Sequence, residues 1–363
     1  MNITVLSQSL VKLGIIDVFE SMIWTDRYYE FGDFELYTEV TLDLLSLLQE
    51  DNYVQIEDSN ETMIIESVEI KTTVDAGNKL VIKGRSLSSL LERRIVLRQV
   101  IIDSAFQAGI QALLNSEVIN GDFPERNFEN FYFYVGNDPL IAAMTLKAQY
   151  YMDNVYDVIK LVCENAKVGF RVVINELNQF IFYLHAGADR SYNQIVNPYV
   201  VFSPTFENLI KSEYFRSKRY KKNFAFVAGE DGLNSWNHGI YGRWAQVWLP
   251  ETPITGIHRR EMFLNFDGIP KNYENSVEEI PDEEYSAQLA QRGLEELAEN
   301  SDFTLFSGEI DTTRNYKYGI DFFLGDIVQL EDIYGHTSRV RVTEMTYSEN
   351  LSGRSSNPTL KSV

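Results

Sequence analysis

IDVFESMIWTDRYYEFGDFELY, Ile16 to Tyr37, decides the fold class. From Ile15 to Trp24, apolar and polar residues alternate after a double isoleucine, and GDFELYTEV, Gly32 to Val40, repeats the pattern. Phe34, Leu36 and Val40 then share one face at period two, as in a half-buried strand. Working outward, Thr41 offers an N-cap to LDLLSLLQE, whose Leu44, Leu45 and Leu48 have helical spacing. TMIIESVEIKTTV and KLVIKG read as a hairpin around DAGN, where Asp75 and Gly77 supply the turn chemistry. Ser86 can cap SLSSLLERRIV, with Leu87, Leu90, Leu91 and Ile95 on one apolar stripe.

The texture changes between residues 99 and 198. Ile101 to Leu114 is helix-like, and NGDFPERNFENFYFYVGNDP is loop-rich and aromatic. Asn154 can cap VYDVIKLVCENAKVG, with Val155, Val158, Ile159 and Val162 on one face and Gly169 near its end. FRVVI and QFIFYL follow as strands joined by NELN, giving a compact α+β unit. Strand texture returns in YVVF, SEYFRSKRY and NFAFVAG. These read as a return to the first β unit, so the expected division is 1–98 plus 199–230, an inserted 99–198, and 231–363. In the last part, strands are expected near Ala245–Leu249, Arg260–Phe266, Phe303–Ile310, Asp326–Glu331 and Arg339–Tyr347. A helix over about 282–299 interrupts them, with Leu289, Leu294 and Leu297 toward a core and its acids toward water. The tail LSGRSSNPTLKSV is expected to fray or to dock as an extended arm.

Composition narrows the function. The chain has 363 residues, enough to bury roughly three quarters of its unfolded surface without disulfides or metals. Lys+Arg number 32 against 53 Asp+Glu, a formal charge of −21. That charge argues against sequence-independent nucleic-acid binding and against a polybasic membrane-surface protein. The single cysteine, Cys163, excludes an intrachain disulfide and a multi-cysteine zinc site. The first residues hold no apolar core of about 7–15 residues, so no signal peptide is expected. No run reaches about 18 apolar residues, so no membrane-spanning helix is expected.

No motif carries catalytic chemistry. His185, His238, His258 and His336 are scattered without metal-ligand spacing. His258-Arg-Arg-Glu261 lacks the second histidine of a zincin, and a strand with charged edges explains it better. Cys163, beside an apolar stripe, reads as a small buried hydrophobe rather than a nucleophile. Val227–Gly232 and Gly239–Trp244 carry no phosphate-loop or dinucleotide fingerprint and read as turns. Carboxylate pairs are defined by spatial distance, which sequence does not give. KSEYFRSKRYKK, Lys211 to Lys222, is strongly basic. It reads as a solvated or protein-contacting segment rather than a nucleic-acid site. Glu274 to Glu309 holds 11 acids against one arginine, a water-facing helix and loop or an anion-repelling wall. Aromatics make up 13% of the chain, suited to strands and to subunit interfaces.

Four stretches resemble the central hub proteins of long-tailed phage tail tips, the tail-associated or baseplate-hub family. They are IDVFESMIWTDRYYEFGDFELY, MIIESVEIKTTVDAGNKLVIKGRSLSSLLERRIV, NPYVVFSPTFENLIKSEYFRSKRYKKNFAFVAGE and YGIDFFLGDIVQLEDIYGHTSRVRVTEMTYSEN. The most specific patterns are W-T-x-R-Y-x-E-x-G-x-F-E-L from Trp24 and G-R-S-L-x-x-L-L-x-R-R-I from Gly84. The resemblance implies a β-dominated α+β subunit with two tail-tube-like β-barrel domains, 1–98 plus 199–230 and 231–363, and the 99–198 unit inserted. It implies a homotrimeric ring in the virion tail tip, assembled in the bacterial cytoplasm. Such a ring adapts a hexameric tube to threefold symmetry and caps or gates the DNA channel during genome ejection. The implied partners are the distal tail protein ring, tail tube, tape measure protein and tail fibre or receptor-binding proteins. DNA is a transient passenger, and no stable membrane association is implied. No enzyme activity, catalytic residue, cofactor or metal is implied, and relatives that carry hydrolase or fibre domains extend past the position of Val363. The competing readings are a peptidoglycan hydrolase and a cell-wall carbohydrate-binding module using Asn120 to Pro139.

Overall fold

A computed structural model describes residues 1–73, 77–230, 243–249, 253–300, 303–310 and 315–363. The N-terminal part forms β1 (Ile3–Leu6), β2 (Lys12–Ile16), β3 (Ser21–Arg27), β4 (Asp33–Glu39), helix α1 (Leu42–Leu47), β5 (Tyr53–Ile56), β6 (Thr62–Thr73) and β7 (Gly77–Ser86). Alternation sets the buried faces. Met22 and Trp24 point into the core from β3, and Phe34 and Leu36 from β4. Thr41 caps α1, its hydroxyl accepting from the Leu44 amide at 3.1 Å. Gly77 sits at φ +70, a conformation glycine enters without steric cost, while Asp75 lies outside the described residues.

The middle of the chain forms β8 (Val100–Ala105), α2 (Phe106–Leu114), β9 (Phe131–Phe133), α3 (Pro139–Ala142), β10 (Thr145–Tyr150), α4 (Val155–Ala166), β11 (Gly169–Ile174) and β12 (Phe180–His185). Asn154 caps α4 through the Tyr156 amide at 2.9 Å. The expected apolar face of α4 is buried at Val155, Val158, Ile159 and Val162. These elements share one core with Phe106, Leu113, Phe170 and Phe182, and Leu87 and Leu91 reach into it. SLSSLLERRIV forms a tight 3₁₀ turn over Leu87–Arg93 rather than an α-helix. Its Ser86 and Ser88 hydroxyls are used elsewhere, accepting from the Gly32 and Val172 amides at 3.0 and 3.2 Å. Side chains that bond to distant backbone do not support an α-helical turn of their own.

The C-terminal part forms β13 (Val201–Phe202), β14 (Leu209–Ser217), β15 (Phe224–Ala228), β16 (Trp244–Trp248), β17 (Glu261–Asn265), α5 (Asp282–Glu299), β18 (Phe303–Ile310), β19 (Ile327–Glu331), β20 (Thr337–Asn350) and β21 (Gly353–Ser362). β14 pairs with β18, and β15 lies between β16 and β17, so these strands do not return to the N-terminal sheet. Helix α5 packs on the β15–β17 sheet through Tyr285, Leu289 and Leu297. One acid of that helix, Glu295, is buried rather than water-facing. It accepts from Gln291 at 3.1 Å and from the Tyr150 hydroxyl at 3.3 Å.

An 11-stranded sheet joins the two ends of the chain in the order β13-β19-β20-β3-β4-β7-β6-β5-β1-β2, with β21 on β20. Residues 327–362, which the sequence reading groups with 231–326, hydrogen-bond into this N-terminal sheet. Strand β20 makes the join. Its first half pairs with β19 and its second half with β3, Glu344 opposite Arg27 and Asn350 opposite Ser21. The tail docks on the other edge of β20 as β21, with a register shift between Val342 and Glu344. Among the described residues the path from β13 to β2 does not close into a barrel. The observed class is β-dominated α+β.

Candidate functional site at the seam of sheet and inserted unit

The elements of 99–198 meet the large sheet where β3 ends. Tyr28 is fully buried there. Its hydroxyl lies 3.1 Å from the His185 carbonyl and 3.3 Å from the Lys167 carbonyl, and accepts from the Gly187 amide at 3.1 Å. Two glycines make room for the ring. A Cβ on Gly169 would lie 2.3 Å from it, and one on Gly325, which also has φ +95, 2.2 Å. Gly169 therefore serves packing, while the turn after α4 is made by Lys167 at φ 59.

Beside Tyr28 lies a charged cluster. Asp26 is 3% exposed and accepts from the Trp24 indole N–H at 2.8 Å and the Ser59 hydroxyl at 2.7 and 2.9 Å. Ser59 in turn accepts from the Glu61 amide at 2.9 Å. Glu61 is also 3% exposed, and its Oε1 stands 3.1 Å from Nε of Arg171 on β11. The contact is an ion pair by distance, but the N–H is not aligned with the oxygen, and Oε2 of Glu61 has no partner. Burial pushes the Glu61 carboxyl up to about 7 against the pull of Arg171, and nearby Asp26 adds to the rise. Burial likewise raises Asp26, with Ser59, Arg171 and Trp24 opposing. His185, at the end of β12, is held well below the usual imidazole range by burial and then by Arg171. Both of its ring nitrogens lack partners. A cleft of about 1070 Å³ opens beside the cluster. It is lined by Asp26, Arg171, Tyr183, His185, Tyr318 and Tyr347 among others.

The cluster contains a carboxylate pair that sequence could not locate. One signal for it was present: Met22, Trp24 and Asp26 occupy alternate positions of β3, so Asp26 follows two core residues into the interior. Arg171 gave no signal, lying between core residues Phe170 and Val172. The pair is not arranged for acid–base work on a substrate, because Asp26 is occupied by Ser59 and Trp24 and Glu61 is turned to Arg171.

The other candidates lie apart. Cys163 is fully buried in the core it shares with Phe106, Phe170 and Phe182, and burial pushes its thiol up, away from thiolate reactivity. His258 is exposed in a short turn, with Glu261 at the start of β17. His336 bonds Asp332 at 2.7 Å within the β19–β20 turn. His238, Asp231, Gly232 and Gly239–Gly242 lie outside the described residues. Among the described residues no group of His, Cys, Asp and Glu has metal-binding geometry. No helix among them is long and apolar enough to cross a membrane.

The basic segment begins on β14, whose register sets Lys211 opposite Glu309. The side chains of residues 211–214 and 216 lie outside the described residues. Beyond β14, Lys222 donates to the Glu261 carbonyl at 2.9 Å, and Arg260 donates to the Lys218 carbonyl. The segment's end is thus tied to β17. Among the described residues, apolar side chains are exposed at two places that bear on function. At alternate positions, Val11 just before edge strand β2 and Leu13 and Ile15 on it are 60, 47 and 51% exposed. Tyr132, Tyr134 and Val135, from β9 onward, form the other.

The sequence profile of the Siphovirus ReqiPepy6 Gp37-like protein family matches residues 2–360. No curated protein matches the sequence. Among solved structures, the 43 kDa tail protein of prophage MuSo2 from Shewanella oneidensis superposes with a TM-score of 0.58 at 11% identity, covering 99% of this chain and 98% of that one. A tail protein from Neisseria meningitidis MC58 gives 0.57 at 14%, covering 99% and 95%. Prophage tail protein gp18 from Listeria monocytogenes EGD-e gives 0.55 at 13%, covering 99% and 94%. At such identities the likeness is one of fold.

Proposed function

The chain belongs to the Siphovirus ReqiPepy6 Gp37-like protein family and has the fold of prophage tail proteins, and on that premise we propose that it is the trimeric hub of the virion's tail tip. The observation that carries this reading is the open edge of the large sheet. Among the described residues strand β2 ends the sheet with an unpaired edge, and Val11 just before it and Leu13 and Ile15 on it are exposed apolar side chains. Such an edge invites pairing with another chain. In the proposed ring each subunit contributes two tube-like β units, completed by neighbours, and the 99–198 unit braces the outside. The ring adapts a hexameric tube to threefold symmetry and gates the channel. Its contacts are the distal tail protein ring, tail tube, tape measure and fibre proteins.

Charge fits this role. A trimer carries three times the formal −21. Acidic groups facing a channel repel passing DNA within about one Debye length, roughly 8 Å at physiological salt. Mass photometry at micromolar concentration, with and without neighbouring tail proteins, tests the proposal. A trimer in either condition supports it, and a monomer in both overturns it. A second reading is favoured by the exposed Tyr132 and Tyr134, whose rings offer a stacking surface for cell-wall sugar. Sedimentation with purified peptidoglycan checks that reading, with the Tyr132→Ala, Tyr134→Ala chain as control.

A further inference from the structure

Two buried carboxylates, Asp26 and Glu61, face one guanidinium, Arg171, across the seam. The site therefore carries one negative charge too many for a buried place, and burying an unpaired charge is costly. Among the described residues the surrounding groups do not cancel it. From the turn before β6, Asp58 is taken up by Arg354 of β21. From β12, Tyr183 is neutral at ordinary pH and His185 is held neutral. Tyr318 and Tyr347 face the cluster as phenols raised by burial. Lys317 lines the same cleft with no ion pair to either carboxylate, and Arg341 is committed to the Gly325 carbonyl.

We propose that the seam binds one proton, on the Asp26–Glu61 pair, and that this proton is the latch holding the 99–198 unit against the large sheet. The unpartnered Oε2 of Glu61 is the atom that takes it. The reading is independent of the hub assignment, because it concerns packing within one chain.

The sign follows from the raised Glu61 carboxyl. Its contribution to closing is fully present below the free-glutamate value and is lost as pH rises through about 7. Asp26 acts in the same direction. His185 acts oppositely: its contribution is present above the free-imidazole value and is lost as pH falls through its depressed one. The seam is thus tightest at weakly acidic pH and loosens above neutrality.

Hydrogen exchange on the full chain tests this at the seam amides of Val172, Gly187 and Ala188, corrected for intrinsic rates. From about pH 6 to about pH 8.5, their protection falls about tenfold by linkage, while amides in α4 change little. In Glu61→Gln, which keeps the shape of the protonated acid, the fall shrinks below about twofold. A flat profile in the unaltered chain, or an undiminished fall in Glu61→Gln, overturns the proposal. If that variant does not fold, carboxyl-carbon NMR of the unaltered chain decides: a Glu61 midpoint near that of free glutamate refutes the latch, and one near neutrality supports it.

Discussion

The 99–198 region and the large sheet are built by different strategies. In 99–198 every strand partner lies within the region: α4 leads through one tight turn into β11, which pairs with β12 across residues 175–179, and the longer-range pairs set Val100 opposite Tyr150 and Phe131 opposite Phe180. In the large sheet, β3 pairs with β20, and Arg27 meets Glu344 across 317 residues. Pairing within the region closes shorter loops, whereas the β3–β20 ladder carries the larger loop-closure cost of joining the two chain ends. The difference teaches where the molecule is vulnerable. A lesion in the inserted unit is expected to stay local, and one on β3 to release both chain ends and the seam.

The sharpest way to break that contrast is Trp24→Ala. Trp24 is fully buried and its indole holds Asp26. Removing a buried aromatic costs about 3–5 kcal/mol, and urea unfolding is expected to show that loss with the β3–β20 amides deprotected together. If α4 amides lose protection equally, the two regions are one cooperative unit and the contrast fails.

Gly325→Ala comes next. Its Cβ would enter the Tyr28 ring at a backbone angle that disfavours any side chain. Overpacking of this kind costs about 1–3 kcal/mol. Thermal melts should drop, and pairing the change with Tyr28→Leu should recover part of the loss if the clash is the cause. Asn154→Ala removes the α4 cap, worth about 1 kcal/mol, and exchange should report it in residues 155–166 while β3 and β20 stay unchanged. The smallest effect on stability is expected for Leu13→Lys on β2. An exposed edge position shifts folding by less than about 0.5 kcal/mol. Self-association measured by sedimentation should nonetheless fall, because a lysine blunts the edge.

Much of the fold was legible in the residues. The alternation in Ile16–Tyr37, the caps at Thr41 and Asn154, the hairpin of β6 and β7, and the helix at Asp282–Glu299 each depend on chemistry within a few positions. So did the reading of Cys163 as a core residue and the resemblance to tail-tip proteins carried by Trp24–Leu36 and Gly84–Ile95. The candidate site was legible only at Asp26, through its place in the β3 alternation. Glu61 and Arg171 sit in contexts that fit a surface strand equally well.

Sequence alone thus determined many of the element types and the excess of acid, but not the strand Val100–Ala105, which takes the start of the helix expected over Ile101–Leu114, nor the 3₁₀ turn over Leu87–Arg93. Tertiary structure decided which strands share a sheet, taking β19–β21 to β3 and leaving β14 and β15 apart. It also decided that Glu295, in a run of acids, is buried against Tyr150. The reason is physical. A cap or turn is selected by neighbours a few bonds away. A ladder between chain ends, or a carboxylate sunk between two units, is selected by total burial and pairing that no local window contains.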